Sequence, residues 1–208
     1  MSQEAPIFEE TYNNYLSRIA GINLEVVAAR LGAKMEAGQA VIPLLGRFYR
    51  VSKEGITRED GRRPQLGTRV ILSKYLLMCP AEEPGSNDWA AYRDFKDSGP
   101  LTTYFANDVE GAVANAFAGR TEDLEKAAEL LGGYVPETAF PYDVCRCFNA
   151  LPRVPLLMLF NDVDEEFPAR CTVLFQAGAE EYLDGECLAM LGAQLSGRLV
   201  SVLKSFSE

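Results

Sequence analysis

The side chains best suited to recognition chemistry fall in two stretches. Arg47 and Tyr49 stand two residues apart, the spacing that places neighbours on one face of a strand. Trp89, Tyr92, Arg93 and Asp94 cluster in a later segment, with Tyr92 and Phe95 following the tryptophan at helical spacing. Aromatic rings supply flat apolar walls, and a guanidinium supplies a fixed fork of donors for carboxylate or phosphate. Together the six residues suit a medium-sized anionic or aromatic small molecule. The plainer alternative is a loop pinned to the core by its aromatics, with Arg93 paired to Asp94. The site reading requires residues 79–103 to fold over the early hairpin and leave a hollow between them.

Five cysteines are the second candidate set. Cys145 and Cys147 share one face of an expected strand, and Cys171 falls on the next strand but one. Three converging thiolates would suit zinc or an iron–sulfur cluster. Their spacing differs from the usual pairs of ligand cysteines, and no fourth ligand stands out. Ordinary core thiols are the competing reading, since free cysteine is among the most buried residue types. The acidic run Asp162, Asp164, Glu165 and Glu166 offers oxygen ligands for a hard cation but lacks the pattern of a calcium-binding loop. It reads better as a solvated turn.

The chain has no histidine, which excludes Ser-His-Asp and Cys-His catalysis and histidine metal ligation. A general acid or base would have to be Asp, Glu, Tyr, Lys or Cys with a shifted pKa. Gly132-Gly133 and Gly99-Pro100 match neither a dinucleotide fingerprint nor a phosphate loop.

The net charge of −10 argues against general nucleic-acid binding. The charge is uneven: residues 1–78 carry 11 Lys and Arg against 8 Asp and Glu, and residues 79–208 carry 9 against 22. Basic residues are densest over Arg47, Arg50, Lys53, Arg58, Arg62 and Arg63, which reads either as a binding patch or as a solvated hairpin face. The odd cysteine count and the acidic opening residues predict reduced thiols in a cytoplasmic protein. No apolar run reaches the length of a membrane-spanning helix.

The 208 residues suit one domain. Phe8, Tyr12, Tyr15, Ile19 and Ile22 make an apolar stripe on a helix, and Asn23 caps a second one that Gly32 stops. Strands follow over residues 40–45 and 47–51, with a short third over 55–58; Pro43 points to an edge strand or a bulge. Residues 66–78 form a buried helix, residues 79–103 a long irregular segment, and residues 104–118 and 122–131 two helices, the second capped by Thr121. Strands over about 140–148, 153–160 and 169–175 make an antiparallel meander, with Phe140 and Tyr142 on the face of Val144. A final helix over 184–203 is capped by Asp184. Because strands and helices come in blocks, the expected class is α+β: an antiparallel β-meander packed against several helices in a single domain.

An ordered set of motifs resembles a known family. It runs from Pro43-Leu44-Leu45-Gly46-Arg47 with Tyr49, through Trp89-x-x-Tyr92-Arg93-Asp94-Phe95 and Leu151-Pro152-Arg153-Val154-Pro155-Leu156, to Asp164-Glu165-Glu166-Phe167-Pro168, Leu174-Phe175 and Tyr182-Leu183. The set is similar to domain-of-unknown-function family 3786, found largely in anaerobic bacteria and archaea, and it covers nearly the whole chain. The resemblance carries over no catalytic residue. Some members look fused to a cysteine-rich iron–sulfur module, which implies a neighbourhood in anaerobic redox or one-carbon metabolism. Three functions stand open: an accessory domain binding a small molecule or cofactor of unknown identity; an interaction module whose acidic surface steers a basic protein partner of a redox or methyl-transfer complex; and a histidine-independent enzyme using Asp, Glu, Tyr or Cys.

Overall fold

Two tight turns organise the first half of the chain. In Ala37-Gly38 and Leu45-Gly46 both residues have positive φ, 48° and 78° in the first and 48° and 77° in the second. This is the mirror-image turn whose twist matches a β-hairpin. The turns join β1 (Lys34–Glu36) to β2 (Gln39–Leu44) and β2 to β3 (Arg47–Ser52), and β4 (Gly55–Arg58) completes an antiparallel sheet in sequence order. β1 begins at Lys34, opposite Val41, so past Val41 β2 is an open edge on that side, and Pro43 deprives no ladder of a donor there.

The computed structural model describes residues 6–86 and 88–206. Residues 1–5 of the acidic opening and the Phe8 side chain of the expected apolar stripe lie outside the described residues. Ahead of the first sheet come α1 (Pro6–Ala20) and α2 (Leu24–Arg30), and Asn23 accepts from the Val26 amide as its cap. After the sheet, α3 (Leu66–Leu77) packs on α1. The contact centres on Arg69, which is fully buried, stacks its guanidinium 4.5 Å over the Tyr12 ring and meets Glu9 at 3.6 Å.

The second sheet is also antiparallel, in the order β5 (Trp89–Ala91), β8 (Arg170–Gln176), β7 (Val154–Asn161), β6 (Val144–Leu151). β7 is apolar along nearly its whole length because it is central and covered on both faces. Leu156, Met158 and Phe160 join the main core, while Leu157 and Leu159 form a smaller cluster on the other face. The expected first strand of the meander starts later, at Val144. Phe140 and Tyr142 precede it, and Phe140 folds onto the face of Cys145 and Cys147 rather than that of Val144. Its carbonyl lies 3.8 Å from the Cys145 thiol.

Between the sheets in sequence come α4 (Thr102–Tyr104), α5 (Gly111–Phe117) and α6 (Thr121–Leu130), with a π-helical stretch, Phe105–Glu110, joining α4 to α5. Thr121 is the first residue of α6 and does not cap it; Arg120 fixes that end by reaching Asp123 at 2.9 Å. The last helix, α7 (Gly185–Ser205), packs against α3, α5, α6 and the π-helical stretch. Gly192 makes this possible: a Cβ there would stand 2.5 Å from the Phe105 ring. Asp184 caps α7 by accepting from the Cys187 amide at 3.0 Å and pairs with Lys74 of α3 at 2.7 Å. The Leu45 amide donates to Ala150 of β6 at 2.8 Å and ties the two sheets together. The protein is a single α+β unit built on two antiparallel sheets, and among the described residues no helix is long and apolar enough to cross a membrane.

Candidate functional site

The strand register puts three polar side chains at one end of an otherwise apolar face. Tyr49 pairs with Ile42 on one side and Arg58 on the other, and Arg47 pairs with Leu44. Residues directly opposite share a face. Arg47, Tyr49 and Arg58 therefore continue the face of the buried Ile42 and Leu44 to the point where the sheet leaves the core. Two helices close over them. One is the start of α3, preceded by Arg63, Pro64 and Gln65. The other is α7, which contributes Met190, Ala193, Gln194, Gly197 and Arg198. They enclose a cavity of about 510 Å³. Small residues leave it open, since a Cβ on Gly197 would meet nothing within 4 Å and one on Gly67 would come no closer than 3.7 Å to Met190.

Among the described residues, four arginines and no carboxylate line this cavity. Arg63 is tied to Glu9 at 2.7 Å, and Arg58 lies 3.8 Å from Asp60. Among the described residues neither Arg47 nor Arg198 has an ion pair. Arg198 spends its Nη1 donors on backbone, giving to the carbonyls of Leu45 at 2.7 Å and Leu44 at 3.2 Å. Burial pulls its guanidinium below the ordinary value; neighbouring Tyr49 opposes that shift and Arg47 adds to it. The twelve-residue α3 opens beside these charges with, among the described residues, no side-chain cap and no acid in its first turn, so its N-terminal N–H groups add positive potential. The cavity thus presents excess positive charge in a chain of net charge −10.

The second stretch of expected site residues lies elsewhere. Residues 89–91 satisfy their backbone by pairing with β8, Trp89 opposite Gln176 and Ala91 opposite Leu174, so the segment joins the second sheet and does not fold over the early hairpin. Trp89 is half-buried against the small cluster of Leu157, Leu159 and Cys147. Tyr92 is buried, stacks on Phe105 with centroids 4.4 Å apart and donates to the Gly185 carbonyl at 3.0 Å. Asp94 accepts from the Ala91 amide at 3.1 Å and stands 3.8 Å from Arg93. Tyr92 and Arg93 line another cavity, of about 410 Å³, together with Glu110 and Arg170. Trp89 and Asp94 line neither. Of the six residues, two therefore line one cavity, two line the other, and two line neither.

The cysteines do not converge either. Cys145 and Cys147 pair with Leu159 and Leu157 on the outer face of the second sheet, whereas Cys171 pairs with Phe160 on the core face. Successive residues of a strand point to opposite faces, so the strand register separates them. Among the described residues no group of three or more His, Cys, Asp or Glu side chains is placed to hold a metal ion. The aspartates of the acidic turn are spent on backbone amides, within the turn and at Gly119. Asp164 accepts from the amides of Glu166 and Phe167, and Asp162 from those of Gly119 and Val163.

Arg198 and Arg170 stood outside the sequence reading of the site. One signal was present for the first. Met190, Ala193, Gln194, Gly197 and Arg198 recur at three- and four-residue steps and draw a small and polar stripe along an otherwise apolar helix.

A family model described as domain of unknown function (DUF3786) matches residues 23–198, which span both cavities. No curated protein and no solved structure matches the chain.

Proposed function

We propose that this chain, which belongs to the DUF3786 family of domains of unknown function, is a small-molecule-binding domain that holds an anionic ligand in the arginine-lined cavity. The observation that carries this reading is the convergence of Arg47, Arg58, Arg63 and Arg198 on one hollow that no carboxylate lines among the described residues. Glu9 and Asp60 offset Arg63 and Arg58, but among the described residues no carboxylate meets Arg47 or Arg198, and like charges at close quarters repel. A bound oxyanion relieves that repulsion. Arg47 and Arg198 then act as charged donors, the Tyr49 hydroxyl adds a neutral one, and the start of α3 contributes backbone N–H groups. Phosphate-type anions suit this set, because several donors from different directions match a tetrahedral group. The family resemblance supports a setting in anaerobic metabolism, with this chain as an accessory domain.

The test is calorimetric titration and native mass spectrometry with inorganic pyrophosphate at low ionic strength. Wild type should bind it, and Arg47→Ala should weaken binding about tenfold or more, the loss expected for one charged hydrogen bond. The affinity should also fall steeply with added salt. A wild-type protein indifferent to pyrophosphate, or an Arg47→Ala variant that binds it unchanged, overturns the reading.

A further inference from the structure

The second cavity has a different chemistry. β5 stops at Ala91, so β8 has no strand partner on that side from Val173 back to Arg170. Across the gap stands the π-helical stretch. A π turn is a rare and costly geometry that often marks a functional position. Here it delivers Glu110 to the open edge, where Oε1 accepts from the Val173 amide at 2.9 Å. Oε2 has no hydrogen bond among the described residues. Arg93 comes to the same hollow from the turn after β5, and Arg170 from the start of β8. Both guanidinium charges are felt at Glu110, yet neither lies within ion-pair distance of it. Arg170 has no ion pair among the described residues, and Arg93 reaches only the exposed Asp94, at 3.8 Å.

Opposite charges that share a cavity without touching leave room for something between them. Two guanidinium forks suit one carboxylate, and a half-buried carboxylate with a vacant oxygen suits a donor, best a cationic one. We infer that this cavity between Glu110, Arg93 and Arg170 is a second ligand site, which takes a free α-amino acid with its carboxylate on the arginines and its ammonium on Glu110. The volume of about 410 Å³ accommodates a side chain as well, against the apolar surface of Leu174 and Leu159. The stacked rings of Tyr92 and Phe105 hold the wall rigid. This site is independent of the anion cavity beside β3.

The Val173 amide is a built-in reporter, because its hydrogen-bond partner is the group that would receive the ammonium. The test titrates isotopically labelled protein with each common amino acid in turn, up to about 10 mM, and with succinate and n-butylamine as half-ligands. The upper limit lies above the roughly millimolar affinity that a few solvent-exposed charged contacts give. At least one amino acid should move the Val173 amide in a saturable way, at a concentration at least about tenfold below that needed for either half-ligand. Arg93→Ala with Arg170→Ala should weaken this about tenfold or more, and Arg47→Ala should leave it unchanged. If no amino acid moves the resonance, or if the doubly substituted protein responds like wild type, the inference fails. The arginine-lined cavity would be untouched by that failure.

Discussion

The Arg198 guanidinium donates to the Leu45 carbonyl at 2.7 Å across 153 positions of sequence. Leu45 occupies the left-handed region, φ 48°, which costs a branched side chain about 1 kcal/mol. Its burial, the amide bond to Ala150 and the Arg198 donors hold it there. The turn in turn sets the direction of Arg47, two residues on. One arginine thus supports the hairpin and lines the cavity beside it.

Arg198→Ala should therefore lower stability by about 2 kcal/mol, since charged hydrogen bonds to two carbonyls are lost in a half-buried place. Arg198→Lys should recover part of this, because a single ammonium replaces a fork. Arg47→Ala, at an exposed position, should change stability by less than about 0.5 kcal/mol. Urea denaturation of the three variants checks the ordering. An Arg198→Ala midpoint equal to wild type would show that the Leu45 turn needs no such support.

The five thiols should behave as sluggish, unequal nucleophiles. Burial pushes every one of them up from the ordinary thiol value, most strongly Cys171 and Cys187. The thiolate is the reactive form, so at neutral pH none should label fast. Cys79 and Cys145 are half-buried and should be alkylated first, with the other three protected until the chain unfolds. Timed iodoacetamide labelling read by peptide mass spectrometry decides this. Rapid labelling of Cys171 in the folded protein would contradict the core placement.

Much of the architecture was legible because it is local. Asn23 and Asp184 announce their helices through cap chemistry, and the apolar run Val154–Phe160 announces a central strand. The three-residue β1 and β5 were hidden, since strands that short are defined by partners and not by periodicity. The site was half legible. Arg47 and Tyr49 declare a shared face by spacing, and Arg58 and Arg63 stood in the basic stretch. Arg198 and Arg170 reach their cavities only through tertiary packing. The π turn that aims Glu110 has no sequence signature of its own. Trp89 misled because a lone tryptophan among prolines reads as a loop anchor, whereas its backbone was needed to pair β8.

Asp184 joins α7 to α3 and gives stability a pH limit. Burial raises its carboxyl pKa, but the bonds from Lys74 and the Cys187 amide outweigh that and leave it below 3.8. A depressed folded value means that the unfolded chain binds the proton more tightly. The contribution is then complete well above 3.8 and is lost as pH falls through the folded value. Asp184→Ala should cost about 1 kcal/mol at pH 7 from the lost cap alone. Asp184→Asn should retain most of the cap and lose the sensitivity to acid. Denaturation midpoints between pH 2 and pH 7, set against the ordinary value of 3.8, test both.

Glu110 titrates in the opposite sense and links stability to the second site. Burial raises its carboxyl above 4.5, against the Val173 amide and the charges of Arg170 and Arg93, which lower it. The other titratable groups around it are Tyr92 and Tyr142 in the same cavity and the Cys171 thiol behind β8. A raised folded value means that the native state holds the proton more tightly. Stability therefore falls as pH rises from 4.5 through the folded value. Glu110→Gln keeps the acceptor for Val173 and removes the charge. The variant should match wild type in acid and gain on it as pH rises through that window. Its ligand preferences should invert: amino acids should bind about tenfold more weakly for want of a carboxylate to meet the ammonium, and succinate should bind more tightly beside the two arginines. In wild type, amino-acid affinity should fall with Glu110 protonation as pH drops. Urea midpoints and titrations followed at the Val173 amide, for both proteins at several pH values, read all three effects. A Glu110→Gln variant that binds amino acids as wild type does would remove the ammonium from the site.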